Sequence, residues 1–118
     1  MEFKGTPGPW KAIDSTDIVD SNGFSHVEVT NLAVLADWDE KGFTHWSSSE
    51  KAYRKIPHEE QMANACLIAA APELLGALTG LLDSYKQLTD SSDAGFWKLE
   101  DTTEGRAAMK AINKALGG

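Results

Sequence analysis

The side chains best suited to chemistry in this sequence lie in residues 39–56. Phe43, Trp46 and Tyr53 occur there among glycine, serine and charged residues. Arg54 directly follows Tyr53. Aromatic rings can stack on a base or cover an apolar surface, and a guanidinium can pair with phosphate or carboxylate. Because long loops of this kind are usually functional, the segment predicts a binding site for a base-like or apolar surface next to an anionic group.

Asn64 and Arg106 complete the predicted ligand site. Asn64 lies among small apolar residues, where a buried amide is costly unless it is paired. We therefore expect Asn64 to hydrogen bond with the backbone or with a bound ligand. Arg106 lies near the start of the last predicted helix, and Arg54 is the only other arginine in the chain. We expect one of these guanidinium groups to meet an anion, with a surface salt bridge as the alternative.

The four tryptophans fall into two groups. Trp10 and Trp38 lie in or beside predicted strands, so we expect them to anchor the core. Trp46 and Trp97 lie in polar segments, where two interpretations stay open: each ring caps the core, or it belongs to an exposed recognition surface. Cys66, the only cysteine, is surrounded by alanines and is expected to be an inert core thiol.

Motifs of common catalytic and metal sites are missing from the sequence. It contains no glycine-rich phosphate loop, no paired cysteines, no His-Glu-x-x-His and no Gly-x-Ser-x-Gly motif. His26, His45 and His58 fall on a predicted strand, a loop and a helix start, so they do not predict a convergent metal site. We therefore expect a protein that is not an enzyme and that uses no cofactor and no metal.

Composition indicates a small soluble protein. The 118 residues, 42% hydrophobic, fit a single domain over residues 1–118 with one modest core. The formal net charge of −7 repels phosphate backbones and anionic lipids, so we expect no direct binding to nucleic acid or membrane. The longest apolar run, Cys66 to Ala71, is too short to span a bilayer, and a single cysteine suits a reducing cytoplasm.

The positioning elements begin with a predicted sheet region in residues 1–38. Alternation of apolar and polar residues predicts strands at Trp10–Asp14 and Asp17–Asp20. Ser21–Gly23 contains Asn-Gly and predicts a type I′ hairpin turn. Leu32–Trp38 is apolar enough for a further central strand, although its length alone does not distinguish a strand from a buried helix. The strand after the turn has two faces, one of which we expect in the core: Phe24, His26, Glu28 and Thr30 on one side, Val27 and Val29 on the other.

Residues 57–88 predict helical structure. Pro57 suits a first helical residue. Pro72 cannot continue the hydrogen-bond ladder, so it either kinks one helix or begins a second. Beyond it, apolar residues recur at three- and four-residue spacing: Leu74, Leu75, Leu78, Leu81, Leu82, Tyr85 and Leu88. Residues 101–116 predict a last helix, with Asp101 at its start.

Strands that precede helices predict an α+β fold, with an N-terminal antiparallel sheet that contains a hairpin and C-terminal helices packed on one face. Residues 39–56 then form a functional loop between the sheet region and the helices. Because the leucine stripe is long for so small a sheet, we also expect a homo-oligomer that uses this helical region.

Two motifs carry a family resemblance. The chain opens with Thr6-Pro7-Gly8-Pro9-Trp10, and residues 63–75 have the sequence ANACLIAAAPELL. Together they resemble a family of short accessory proteins of tailed phages and prophages that carry a TPGPW-like box and an "ANA.LIAAAPELL" helix. By architecture the chain is also similar to anti-Thoeris sponges, which pair a small sheet with C-terminal helices and bind ligand at subunit interfaces. The resemblance implies a phage protein of the host cytoplasm.

Three functions agree with these features. The first hypothesis is a non-enzymatic counter-defence protein that sequesters a small signalling nucleotide. The second is an acidic inhibitor that covers the basic nucleic-acid-binding surface of a host defence protein, such as a CRISPR effector, to which the net charge would steer it. The third is a structural or regulatory phage module. The expected partner is therefore a small nucleotide or a host defence protein.

Overall fold

The computed structural model describes residues 2–14, 16–91 and 101–117. Strands precede helices and all strand pairs are antiparallel, so the predicted α+β fold is confirmed. The chain forms two compact units, one of residues 9–70 and one of residues 1–8 with 71–118. The elements are β1 Lys11–Ile13, β2 Asp17–Val19, β3 Ser25–Glu28, β4 Leu32–Val34, β5 Tyr53–Lys55, α1 His58–Ala69, α2 Ala71–Ser91 and α3 Thr103–Ala115.

The first sheet has the order β1-β2-β3, with a hairpin turn between β2 and β3. The predicted turn is present, but its type I′ geometry is wrong. Gly23 has φ +87°, whereas Asn22 does not have a positive φ. The Asp20 carboxylate accepts the N–H groups of Asn22 at 2.9 Å and Phe24 at 3.0 Å. This side chain holds a three-residue loop in which only the glycine needs left-handed backbone.

The core of residues 9–70 is small. Ile18, 1% exposed, packs with Val29 and Ala65, and Trp10 lies against this cluster as expected. The third strand is less buried than its alternation predicts, since all four of its residues are exposed and Phe24, just before it, is 68% exposed. The reason is that α1 packs mainly on β1 and β2 and leaves β3 largely uncovered.

One side of helix α1 packs against the core of residues 9–70. Gln61 is buried, and its Nε2 donates to the carbonyl oxygen of Val29 at 2.9 Å. Ala65, four residues later, is 1% exposed. Asn64 and Cys66 flank Ala65 and are exposed. The predicted core thiol is therefore wrong, and a hydrogen bond from Asn64 to a bound ligand stays a prediction. The sheet lies on the side of α1 that carries Gln61 and Ala65.

The second sheet pairs β4 with β5, and Ala33 lies opposite Arg54. The predicted central strand Leu32–Trp38 is therefore wrong, because β4 is a short strand of a two-stranded sheet. The segment 39–56 also contains more regular structure than expected, namely a 3₁₀ turn at Trp46–Ser48 and the strand β5.

Pro72 begins a second helix. α1 ends at Ala69, and α2 starts at Ala71 with Pro72 in its first turn, where the missing N–H has no helical partner to lose. The predicted start of the last helix is one residue early, since the N-cap is Thr102, whose Oγ1 accepts the Gly105 N–H at 2.9 Å.

The leucine stripe of α2 divides into two sets. Leu75, Leu78 and Leu82 are half-buried. Leu74, Leu81 and Leu88 are 53%, 68% and 66% exposed. The exposed set is the candidate contact for the expected homo-oligomer, which stays a prediction. In the described part of the chain no single helix is long and apolar enough to cross a membrane, and only α1 and α2 taken together reach that length and composition.

The bond from Gln61 to Val29 should contribute measurably to stability. Gln61→Met keeps the side-chain length but removes the donor, so we expect the free energy of unfolding to fall by about 1–3 kcal/mol. Urea unfolding followed by tryptophan fluorescence measures this difference. Asn64→Ala on the exposed side of α1 is the matched control and should change it by less than about 0.5 kcal/mol. Equal effects of the two substitutions would contradict this role of Gln61.

Candidate functional site

Four aromatic rings form a continuous row. The ring centroids of Trp38 and His45 lie 5.3 Å apart, and those of His45 and Trp46 are also 5.3 Å apart. Trp46 meets Tyr53 edge to face at 6.1 Å. Such separations are those of favourable aromatic pairs. We call these four residues the aromatic row.

The serines after Trp46 hold the row in place. His45 caps the 3₁₀ turn, and its Nδ1 accepts the Ser47 N–H at 3.2 Å. Ser48 donates its hydroxyl to the His45 carbonyl oxygen at 2.6 Å. The serine run, which by itself indicates a loop, is therefore a capped turn that fixes the His45 and Trp46 rings.

The predicted aromatic residues lie close together. Trp46 and Tyr53 are half-buried members of the aromatic row, and Trp38 belongs to it as well. Phe43 is half-buried, and its N–H donates to the Trp38 carbonyl oxygen at 3.1 Å. Trp97 lies outside the described residues.

Arg54 does not join the aromatic row. Successive side chains of a strand point to opposite faces, so Tyr53 and Arg54 of β5 point away from each other. The Arg54 guanidinium instead meets Glu60 through two contacts, Nη1 to Oε2 at 3.0 Å and Nη2 to Oε1 at 3.3 Å. The hydrogen bonds that Arg54 donates to Glu60, and then the negative charge of Glu60, raise the pKa of Arg54 above its ordinary value. This pair neutralises the only arginine of residues 9–70.

A cleft of about 430 Å³ brings Arg54 and Asn64 together. Its volume lies in the range of small-molecule and peptide side-chain sites. Most of its wall is apolar. The lining residues are Val27, Val29, Ala33, Ile56, Leu67 and Ile68 with Glu28, Thr30, Arg54 and Asn64. Arg106, the remaining predicted site residue, is exposed on α3 in the other unit.

Sequence reasoning missed a carboxylate–imidazole pair at the first hairpin. His26 Nε2 lies 2.9 Å from Asp20 Oδ2. This hydrogen bond, together with those from the N–H groups of Phe24 and Asn22, holds the pKa of the Asp20 carboxyl below its ordinary value. An aspartate just before Asn-Gly was the available signal, since aspartate commonly accepts backbone N–H groups in turns. Within the described ranges no three His, Cys, Asp or Glu side chains cluster as metal ligands.

Comparison with known proteins places the chain in a phage family. A family model described as Salmonella phage P22 protein Y8K6 matches residues 1–118. The chain belongs to this family. No curated protein and no solved structure matches it significantly. Membership in the Y8K6 family confirms the predicted phage origin, and it leaves the specific function to be argued from the site.

The Asp20 pair of this Y8K6 family member should give a pH-dependent stability. A carboxyl whose pKa is lowered on folding stabilises the fold above its ordinary value of 3.8, and this contribution is lost as the pH falls through the lower folded value. Asp20→Asn should therefore cost more stability at about pH 6 than at about pH 3. Urea unfolding at both pH values measures this. Glu50→Gln in an exposed turn is the control, and a pH-independent Asp20→Asn effect would refute the linkage.

Proposed function

We propose that this phage protein acts by binding a host protein, as an acidic inhibitor that covers a basic surface. The observation that carries the proposal is the state of Arg54. Its guanidinium, one of the two that the sequence offered to an anionic group, is already paired with Glu60 in the salt bridge given as the alternative. A nucleotide phosphate would have to displace that carboxylate. A basic protein surface meets no such competition and is attracted by the net charge of −7.

Exposed apolar side chains support a protein partner. In residues 9–70, Phe24 is 68% exposed, Leu67 is 64% exposed and Met62 is 42% exposed. Aromatic residues and methionine are enriched in protein interfaces, and exposed apolar groups near a polar border are typical of them. Leu67 lies at the cleft, so apolar contact and charge are available on the same unit.

A nucleotide sponge is the second candidate, and the aromatic row favours it. Trp46 and Tyr53 offer ring faces and edges for a base, while Arg54 and Asn64 share a cleft of suitable volume. A sponge that uses these groups needs Arg54 to exchange Glu60 for a phosphate. The two candidates therefore differ in what removal of the Glu60 carboxylate does.

The inhibitor proposal is tested by capture of the tagged protein from infected cells, followed by reconstitution with the purified partner. We expect a host partner that associates with the phage protein at a rate that falls steeply with rising salt concentration, because the attraction is electrostatic. The purified phage protein should also compete with nucleic acid for binding to the partner. A reconstituted complex whose association rate is insensitive to salt would refute the electrostatic part of the proposal.

Glu60→Gln separates the two candidates. Calorimetry against cyclic nucleotides and ADP-ribose derivatives should show no binding to the wild type or to Glu60→Gln if the protein is an inhibitor. If the protein is a sponge, the wild type should bind a nucleotide, and Glu60→Gln should bind it more tightly because Arg54 is freed. Arg54→Ala should lower the nucleotide affinity by about tenfold or more. Lys55→Ala, next to Arg54 on the other strand face, is the matched control. Nucleotide binding with this pattern would overturn our proposal.

A further inference from the structure

The edge strand β3 has an open side. β3 is the last strand of the order β1-β2-β3, so it pairs with β2 on one side only. The Val29 N–H donates to the Thr16 carbonyl oxygen at 2.6 Å, toward the sheet. Because alternate residues of an antiparallel strand direct their backbone groups to opposite sides, those of Glu28 face away from β2. An edge of this kind is a template for another strand.

The inner face of β3 lies at the cleft. Helix α1 packs mainly on β1 and β2, so the space over β3 stays open. Val27 on β3 and Leu67 on α1 both line this cleft and are 36% and 64% exposed. A strand added beside β3 would direct every second side chain toward this apolar space.

The outer face of β3 carries unbalanced negative charge. Asp17 lies directly opposite Glu28, so two carboxylates share one face of the sheet. In the described residues neither carboxylate forms a salt bridge. Like charges directly opposite each other are destabilising, and a cation supplied from outside would relieve them.

These three features describe the segment that fits. We propose that β3 accepts an extended segment of the partner protein as a fourth strand. Its apolar side chains would lie in the cleft and alternate with lysine or arginine beside Glu28, whose carboxylate faces that of Asp17 on β2. Strand addition draws affinity from backbone hydrogen bonds and specificity from the pockets for alternate side chains. The inference rests on the proposed function, since it states what the basic partner presents. Because β3 has only four residues, the cleft must supply a large share of the contact.

Synthetic peptides test the proposal on the full chain. The probe is an acetylated and amidated Lys-Val-Lys-Val-Lys-Val peptide, compared with Glu-Val-Glu-Val-Glu-Val of the same length and alternation. We expect the basic peptide to bind at least about tenfold more tightly. Amide signals of residues 25–30 should shift in NMR spectra, and a proline at the central valine of the peptide should weaken binding because it removes a backbone donor. Equal affinity of the two peptides, or no binding, overturns the proposal.

Charge reversal sharpens the test. Glu28→Lys should lower the affinity for the basic peptide by about tenfold and raise the affinity for the acidic peptide. Glu50→Lys makes the same charge change in an exposed turn and should leave both affinities within about twofold. Leu67→Lys should also lower the affinity for the basic peptide, since it places a positive charge at the cleft. Loss of self-association on Glu28→Lys, with no peptide effect, would assign the edge to a second copy and overturn the proposal.

The outcomes separate the edge site from the proposed function. If a reconstituted host partner binds Glu28→Lys and Leu67→Lys as tightly as the wild type, strand addition is wrong and the inhibitor function stands. If the basic peptide binds at residues 25–30 but no protein partner can be reconstituted, the edge site stands and the inhibitor function fails.

Discussion

The hydrogen bond from Gln61 to the Val29 carbonyl oxygen ties helix α1 to the first sheet within residues 9–70. Val29 directly follows β3, and its N–H donates to the Thr16 carbonyl oxygen. Its side chain is buried beside Ile18, so its own carbonyl oxygen needs a hydrogen-bond donor from the protein. Gln61 supplies that partner and holds α1 to the end of the strand. The helix packs mainly on β1 and β2 and leaves β3 largely uncovered, with the cleft beside Val27. A single buried amide thus links the helix to a residue that belongs both to the core and to the wall of the cleft.

Because side chains alternate along β5, the residues suited to ligand binding lie on two different surfaces. Tyr53 joins the aromatic row, which a capped 3₁₀ turn positions, while Arg54 points to α1 and pairs with Glu60. Stacking groups and guanidinium are therefore not next to each other on one face. This separation suits a broad protein contact better than a compact nucleotide site, in which base and phosphate must be held together.

A small core has consequences for the surface of this Y8K6 family member. Ile18 is the only large side chain of the described residues that is almost fully buried, and several large apolar side chains remain exposed. A short chain buries a smaller fraction of its surface than a long one, so apolar groups remain on the outside where a partner can cover them. The net charge of −7 and the facing carboxylates of Asp17 and Glu28 then favour basic partners.

Local signals in the sequence determined the elements. Alternation, the Asn22-Gly23 turn and the position of Pro72 predicted the strands, the hairpin and the helical region, because each acts through backbone geometry within a few residues. The partners of Gln61 and Arg54 could not be predicted. Val29, the partner of Gln61, is 32 residues away in sequence, and Glu60, the partner of Arg54, lies on the next element, α1. Which side of α1 is buried, and which face of β5 carries the guanidinium, depends on where the sheets lie against the helix. The sequence by itself determined the α+β order and the candidate residues, and only the tertiary structure decided which of them share a surface, because burial and facing are properties of packed elements.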